Sequence, residues 1–139
     1  EEYRKVQRYA LEEGDVVITC RGTVNKVAVV RDLPQKTIAS ANIIVIRVKE
    51  QSVLSDYIHI FLESPVGTQL VQSFQRGTTV MNINPSDLGE LELPLLEMEE
   101  QEKIVEEYRG EQDLYKKTVT QARERWERIR QDIYKRLTE

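Results

Sequence analysis

The sequence predicts an α+β chain: a small mixed β-sheet with short helices, followed by one long C-terminal helix of coiled-coil type. Three observations carry this. Short β-branched runs broken by glycine and proline fill the first part, helical spacing sets in after Gln51, and steps of three and four residues alternate without a slip from Met98 to Arg136. At 139 residues there is room for one modest core. The expected division is a globular domain over residues 1–96 and a helix over 97–139.

Gly14-Asp15 opens the first strand, Val16-Val17-Ile18. Arg21-Gly22-Thr23 reads as a turn, and Val24 to Val30, with Val27 to Val30 apolar, returns as the second arm of a hairpin. Pro34 stops that pattern, because it fixes its own φ and pushes Leu33 away from helix. Asn42 to Val48, in which Ile43, Ile44, Val45, Ile46 and Val48 are apolar, is so continuous a run that it predicts a third strand buried on both faces. Leu54, Ile58, Phe61 and Leu62 then fall at helical spacing, and Ser64-Pro65 is an N-cap followed by proline at the first helical position. The second helix buries Leu70, Val71 and Phe74 and ends at Gly77. Thr78 to Ile83 is a loop or short strand, Asn84-Pro85-Ser86-Asp87-Leu88 a turn with one helical turn, and Leu91 and Leu93 alternate as a last strand stopped by Pro94.

In the C-terminal stretch Met98, Gln101, Val105, Tyr108, Gln112, Tyr115, Val119, Ala122, Trp126, Ile129, Ile133 and Arg136 form one stripe at the coiled-coil period. About 40 residues of helix would span roughly 60 Å, too long to lie wholly on so small a core. Val105, Tyr108, Tyr115, Val119, Ala122, Trp126, Ile129 and Ile133 are therefore the candidate helix-pairing surface. Gly110 inside the stretch weakens a helix by about 1 kcal/mol relative to alanine without ending it, which favours an unbroken rod over a fold-back.

The net charge of −4 argues against indiscriminate nucleic-acid binding, but its distribution is uneven. Between Val16 and Lys49 stand Arg21, Lys26, Arg31, Lys36, Arg47 and Lys49 with Asp32 as the only acid, while acids crowd the flanks. Such a local positive stretch is either a DNA-facing surface or solubilising strand-edge charge. The single cysteine, Cys20, forms no internal disulfide and no zinc site alone, which fits a reducing, cytoplasmic setting. No apolar run approaches the roughly 20 residues of a membrane span. His59 is the only histidine, and no nucleophile–base set, phosphate-cradling glycine loop or metal spacing accompanies it. Asp15 with Lys26 lacks the second carboxylate of a nuclease site.

Four segments in order resemble the specificity subunits of type I restriction–modification systems: Leu11 to Thr19 with its Gly14-Asp15, followed by Arg21-Gly22-Thr23 and Lys26 to Val30; Tyr57 to Ser64; Gly77-Thr78-Thr79 with Ile83, Leu88 and Leu91; and Leu93 to Ile104, which contains Glu100-Gln101 and Ile104. Leu96 stands where the family has a second proline. The resemblance implies a recognition domain that normally starts some tens of residues earlier, so the chain reads as a fragment, a half-subunit, or the tail of a fused adenine methyltransferase. It also implies a non-catalytic module that reads one half of a split double-stranded DNA target. Its long helix would set the distance to the other half and dock the modification subunit. That subunit holds the S-adenosylmethionine, so no cofactor is expected here; a restriction subunit is a further partner. With one long helix, the chain is expected to pair with a copy of itself, antiparallel. An interaction module or restriction-system regulator that reads no DNA is the alternative.

For DNA contact the candidates are polar and basic loop residues, because base edges are read by side chains reaching into a groove. They are Arg21, Thr23 and Lys26 around the first hairpin, Lys36 and Thr37 beside Pro34, and Arg76, Thr78 and Thr79 around Gly77. Arg21 to Thr23 is equally readable as an ordinary turn, and Gly77 as a helix C-cap.

Overall fold

The computed structural model describes residues 10–22, 25–76 and 81–139, with Arg76 and Met81 described in their backbone only. Two compact units result, residues 1–102 and residues 103–139. The fold is α+β. In the first unit, β1 (Val16–Thr19) lies between β3 (Val27–Val29) and β4 (Ile43–Ile46), and a second sheet orders β2 (Arg21–Gly22), β6 (Met81–Ile83) and β5 (Gln75–Arg76) with β6 central. All four pairings are antiparallel, so the expected mixed sheet resolves among the described residues into two antiparallel sheets.

The hairpin forms as expected, with Val17 opposite Ala28. Arg21-Gly22, expected as a turn, is instead a strand. The Ile43–Ile46 run is an edge strand, and only Ile44 in it is buried. Ile44 and Ile46 lie opposite Ile18 and Val16 and pack on the core, whereas Ile43 and Val45 alternate to the other face and are half-buried. Leu91 and Leu93 pack half-buried on the core without joining a ladder. Alternation alone records which side chains point inward, and the hydrogen-bonding partner a strand also needs is absent from a short sequence window.

Helices α1 (Ser55–Glu63) and α2 (Pro65–Ser73) meet at Ser64, whose hydroxyl accepts from Gly67 N–H at 3.1 Å. That is the expected cap-and-proline start, although α2 stops before the expected Gly77. Asn84 caps α3 (Pro85–Leu88) by accepting from Ser86 N–H at 3.0 Å. The core gathers Val16, Ile18, Cys20 and Ile44 from the strands with Ile58, Leu62, Val71, Ile83 and Leu88. The last helix, α4 (Met98–Thr138), runs 41 residues through Gly110.

Two polar anchors hold this unit. Gly14 adopts φ +87°, a left-handed conformation that suits glycine, and its carbonyl accepts from Ser55 Oγ on α1. Beside it the buried Asp15 carboxylate accepts from Arg47 Nε (2.8 Å), Arg47 Nη2 (2.7 Å) and Glu12 N–H (2.8 Å). Burial alone would raise the Asp15 pKa, but hydrogen bonds from Arg47 and Glu12 and the charge of Arg47 outweigh it and hold the carboxyl below its ordinary 3.8. A depressed folded pKa means stability is present above the ordinary carboxylate range and lost as pH falls through the lower folded value. Arg47→Ala is expected to cost about 2 kcal/mol, toward the low side for a buried pair because Arg47 is partly open to solvent. Urea midpoints from neutral pH into acid should show the variant losing much of the wild-type acid dependence.

Candidate nucleic-acid interface

β1 and β2 are one strand that changes partners at Cys20. Cys20 N–H donates to Asn42 O (2.9 Å) on the side of the first sheet, and its carbonyl accepts from Ile83 N–H (2.9 Å) in line with the second. The small thiol is buried at this crossing. Alternate residues Val16, Ile18 and Cys20 point into the core, which turns Val17, Thr19 and Arg21 outward.

That outward face gathers the candidate residues. Lys26 stands across from Thr19, and Arg21 follows Thr19 by two residues, about 7 Å along the strand. Asn82 is the register partner of Arg21 and of Arg76, so positions 21, 82 and 76 occupy one row across the second sheet. Arg21, Lys26 and Asn82 are exposed, and their side chains have no hydrogen bond or ion pair to a described residue. The other two arginines of the positive stretch are engaged: Arg31 pairs with Asp56, and Arg47 with Asp15 and Glu12.

Polar side chains shape the hairpin end. Lys26 N–H donates to Thr19 Oγ1 (2.8 Å), Asn25 Nδ2 to Thr19 O (2.8 Å), and Gln75 Nε2 to Asn25 Oδ1 (2.8 Å). This chain of amides ties the base of Lys26 to β5. Sequence reasoning missed Asn25 and Gln75, which lie 50 residues apart and carry no local signal of pairing.

Lys36 and Thr37 are exposed but lie elsewhere. Thr37 O accepts from Leu11 N–H (2.8 Å) and Ile38 bridges to Ala10, beyond the Val16 end of β1 and away from Arg21. Thr23, Thr78 and Thr79 lie outside the described residues. Asp15, held by Arg47, is at the opposite end of β1 from Lys26, and His59 on α1 faces Glu63 at 3.2 Å. Among the described residues no group of three His, Cys, Asp or Glu side chains could hold a metal ion.

The lead-in to α4 is anchored inside the first unit. Burial pushes the Tyr57 phenol pKa up and keeps it a donor, to Pro94 O at 2.6 Å. The fully buried Gln101 accepts from Leu54 N–H (3.0 Å) and donates to Ser52 O (2.9 Å) and Leu96 O (2.8 Å). Farther along the helix Tyr115 (68%), Trp126 (58%), Val119, Ala122, Ile129 and Ile133 are exposed, and Tyr108 stands at the margin. Val105 is buried, so it does not belong to the exposed part of the stripe.

The family model for the type I restriction modification DNA specificity domain matches residues 2–107, well over half of the chain. The chain belongs to that family. The specificity domain's function is therefore DNA recognition within a type I restriction–modification system, and such domains are the non-catalytic parts of those systems. The match covers the described strands, the short helices α1 to α3 and the first turns of α4. No curated protein gives a significant match. No helix among the described residues of this specificity domain is long and apolar enough to cross a membrane.

Proposed function

We propose that the specificity domain reads one half of a bipartite duplex target through the outward face of β1–β2 and β6. The observation that carries this is the contrast within one positive stretch: Arg31 and Arg47 are engaged by acids, whereas Arg21 and Lys26 stand exposed on one face beside Asn82. Arg21 is suited to guanine, which a guanidinium grips in a bidentate manner, and Lys26 to phosphate. The chain itself performs no catalysis. An adenine methyltransferase partner, or a methyltransferase fused to it, supplies S-adenosylmethionine and the transfer chemistry in the cytoplasm, and a restriction subunit joins the same assembly. The exposed stripe of α4 from Tyr115 to Ile133 supports a helix partner, which we assign to a second copy running antiparallel and to the modification subunit.

Selection from a random duplex library, with the chain alone and with its modification subunit, tests this reading. A split motif with inverted half-sites is expected if two copies pair antiparallel. Arg21→Ala should relax one guanine position by about 1–3 kcal/mol, and Lys26→Ala should weaken all sequences evenly and lower the salt slope by about one. Absence of any enriched motif, or unchanged binding by both variants, would overturn the assignment. A motif with a single unrepeated half would refute the antiparallel copy.

A further inference from the structure

Asn82 is an unusual residue for its place. It occupies the central strand of the second sheet, paired to β2 on one side and β5 on the other. Asparagine is depleted in strands because its amide competes for backbone hydrogen bonds, so the local preference of the residue and its position disagree. Among the described residues nothing compensates. Of the amides around it, Asn25 and Gln75 bond one another and Thr19, and Asn84 caps α3. Asn82 alone of these four has no side-chain partner among the described residues, and it is exposed. A residue that breaks a local rule without structural gain marks function.

The surroundings define the ligand. Ladder bonds on both flanks fix the direction of the Asn82 side chain, and Arg21 is its register neighbour across about 4.8 Å. The major groove admits a two-stranded ribbon such as β2 with β6, and there adenine presents the N6 donor beside the N7 acceptor. A side-chain amide offers the complementary acceptor and donor. Guanine presents two acceptors there and cytosine one donor, so neither satisfies both halves of the amide.

We infer that Asn82 is a specificity-determining residue that reads an adenine edge in the major groove, next to the base pair contacted by Arg21. This rests on the proposal that the outward face of β1–β2 and β6 meets duplex DNA. The test uses the full chain with the random duplex library, comparing wild type with Asn82→Thr, a change that improves strand preference and preserves folding. In the variant, preference for adenine at one motif position should fall by about 10- to 100-fold with the rest of the motif intact. Replacing that adenine by 7-deazaadenine should weaken wild type by about 10-fold and leave the variant unmoved. A variant that enriches the same motif, or that weakens every position equally, overturns the role of Asn82 while leaving DNA reading by Arg21 and Lys26 in place. A wild-type chain that enriches no motif overturns both.

Discussion

Gly67→Ala is expected to destabilise the globular unit by about 3 kcal/mol or more, near the upper range for overpacking. An added Cβ would stand 1.9 Å from the Phe61 carbonyl oxygen, 2.8 Å from its carbon and 2.9 Å from Leu62 Cα. These are backbone atoms of α1, so no rotamer change relieves the clash, and α2 must move away from α1. Moving α2 has two consequences. It withdraws Val71, which is buried in the core, and it displaces the segment that leads into β5. DNA binding should therefore weaken together with stability, although Gly67 is buried and lies outside the outward face. Urea denaturation gives the first quantity and duplex binding the second. A loss below about 1 kcal/mol would show that the helix pair yields easily, which close packing at this corner does not allow.

The second large effect is expected at Gln101. Its amide accepts one backbone N–H and donates to two carbonyls, all inside the unit. Gln101→Ala leaves these groups without partners and should cost about 3 kcal/mol, roughly one for each lost bond. Gln101→Glu is the more telling change. An ionised carboxylate would face the Ser52 and Leu96 carbonyl oxygens with no proton to offer, so the folded state favours the neutral acid and raises its pKa. A raised carboxyl pKa makes the penalty relative to wild type large at neutral pH and smaller as pH falls and the acid protonates. The comparison must be with wild type at each pH, because Asp15 makes wild type itself less stable in acid. A pH-independent difference between Gln101→Glu and wild type would count against burial of the amide at these three bonds.

Gln101 shows what the family resemblance recorded. Much of what carries it is scaffold. Gly14 supplies a left-handed turn, Asp15 holds Arg47, Tyr57 reaches Pro94, Ser64 turns one helix into the next, and Gln101 anchors the start of α4. Of the residues suited to reading DNA, Arg21 and Lys26 fall within the first resembling segment and Asn82 lies outside all four. Arg21 and Lys26 were legible as basic residues near a hairpin, whereas Asn82 gave no signal until its register was known. Lys36 was equally legible as a loop cation, and the fold carries it to the other end of β1. Net positive charge along a stretch does not distinguish a cation that binds a ligand from one that neutralises a buried carboxylate.

What the sequence determined by itself is whatever depends on neighbours within a few turns of chain. The unbroken helix from Met98 to Thr138 follows from its period, the Val16–Val29 hairpin from two β-branched runs, and the starts at Ser64-Pro65 and Asn84-Pro85 from capping chemistry. Tertiary structure alone decided the change of partners at Cys20, the edge position of Ile43–Ile46, and the failure of Leu91 and Leu93 to find a ladder. It also decided which arginines remain available. The physical reason is range: the bonds that settle these matters join residues 25, 32 and 47 positions apart, as in Arg31–Asp56, Arg47–Asp15 and Leu54–Gln101. Helical period and capping act over less than a turn or two, whereas a buried charge or amide takes its partner from wherever packing brings one.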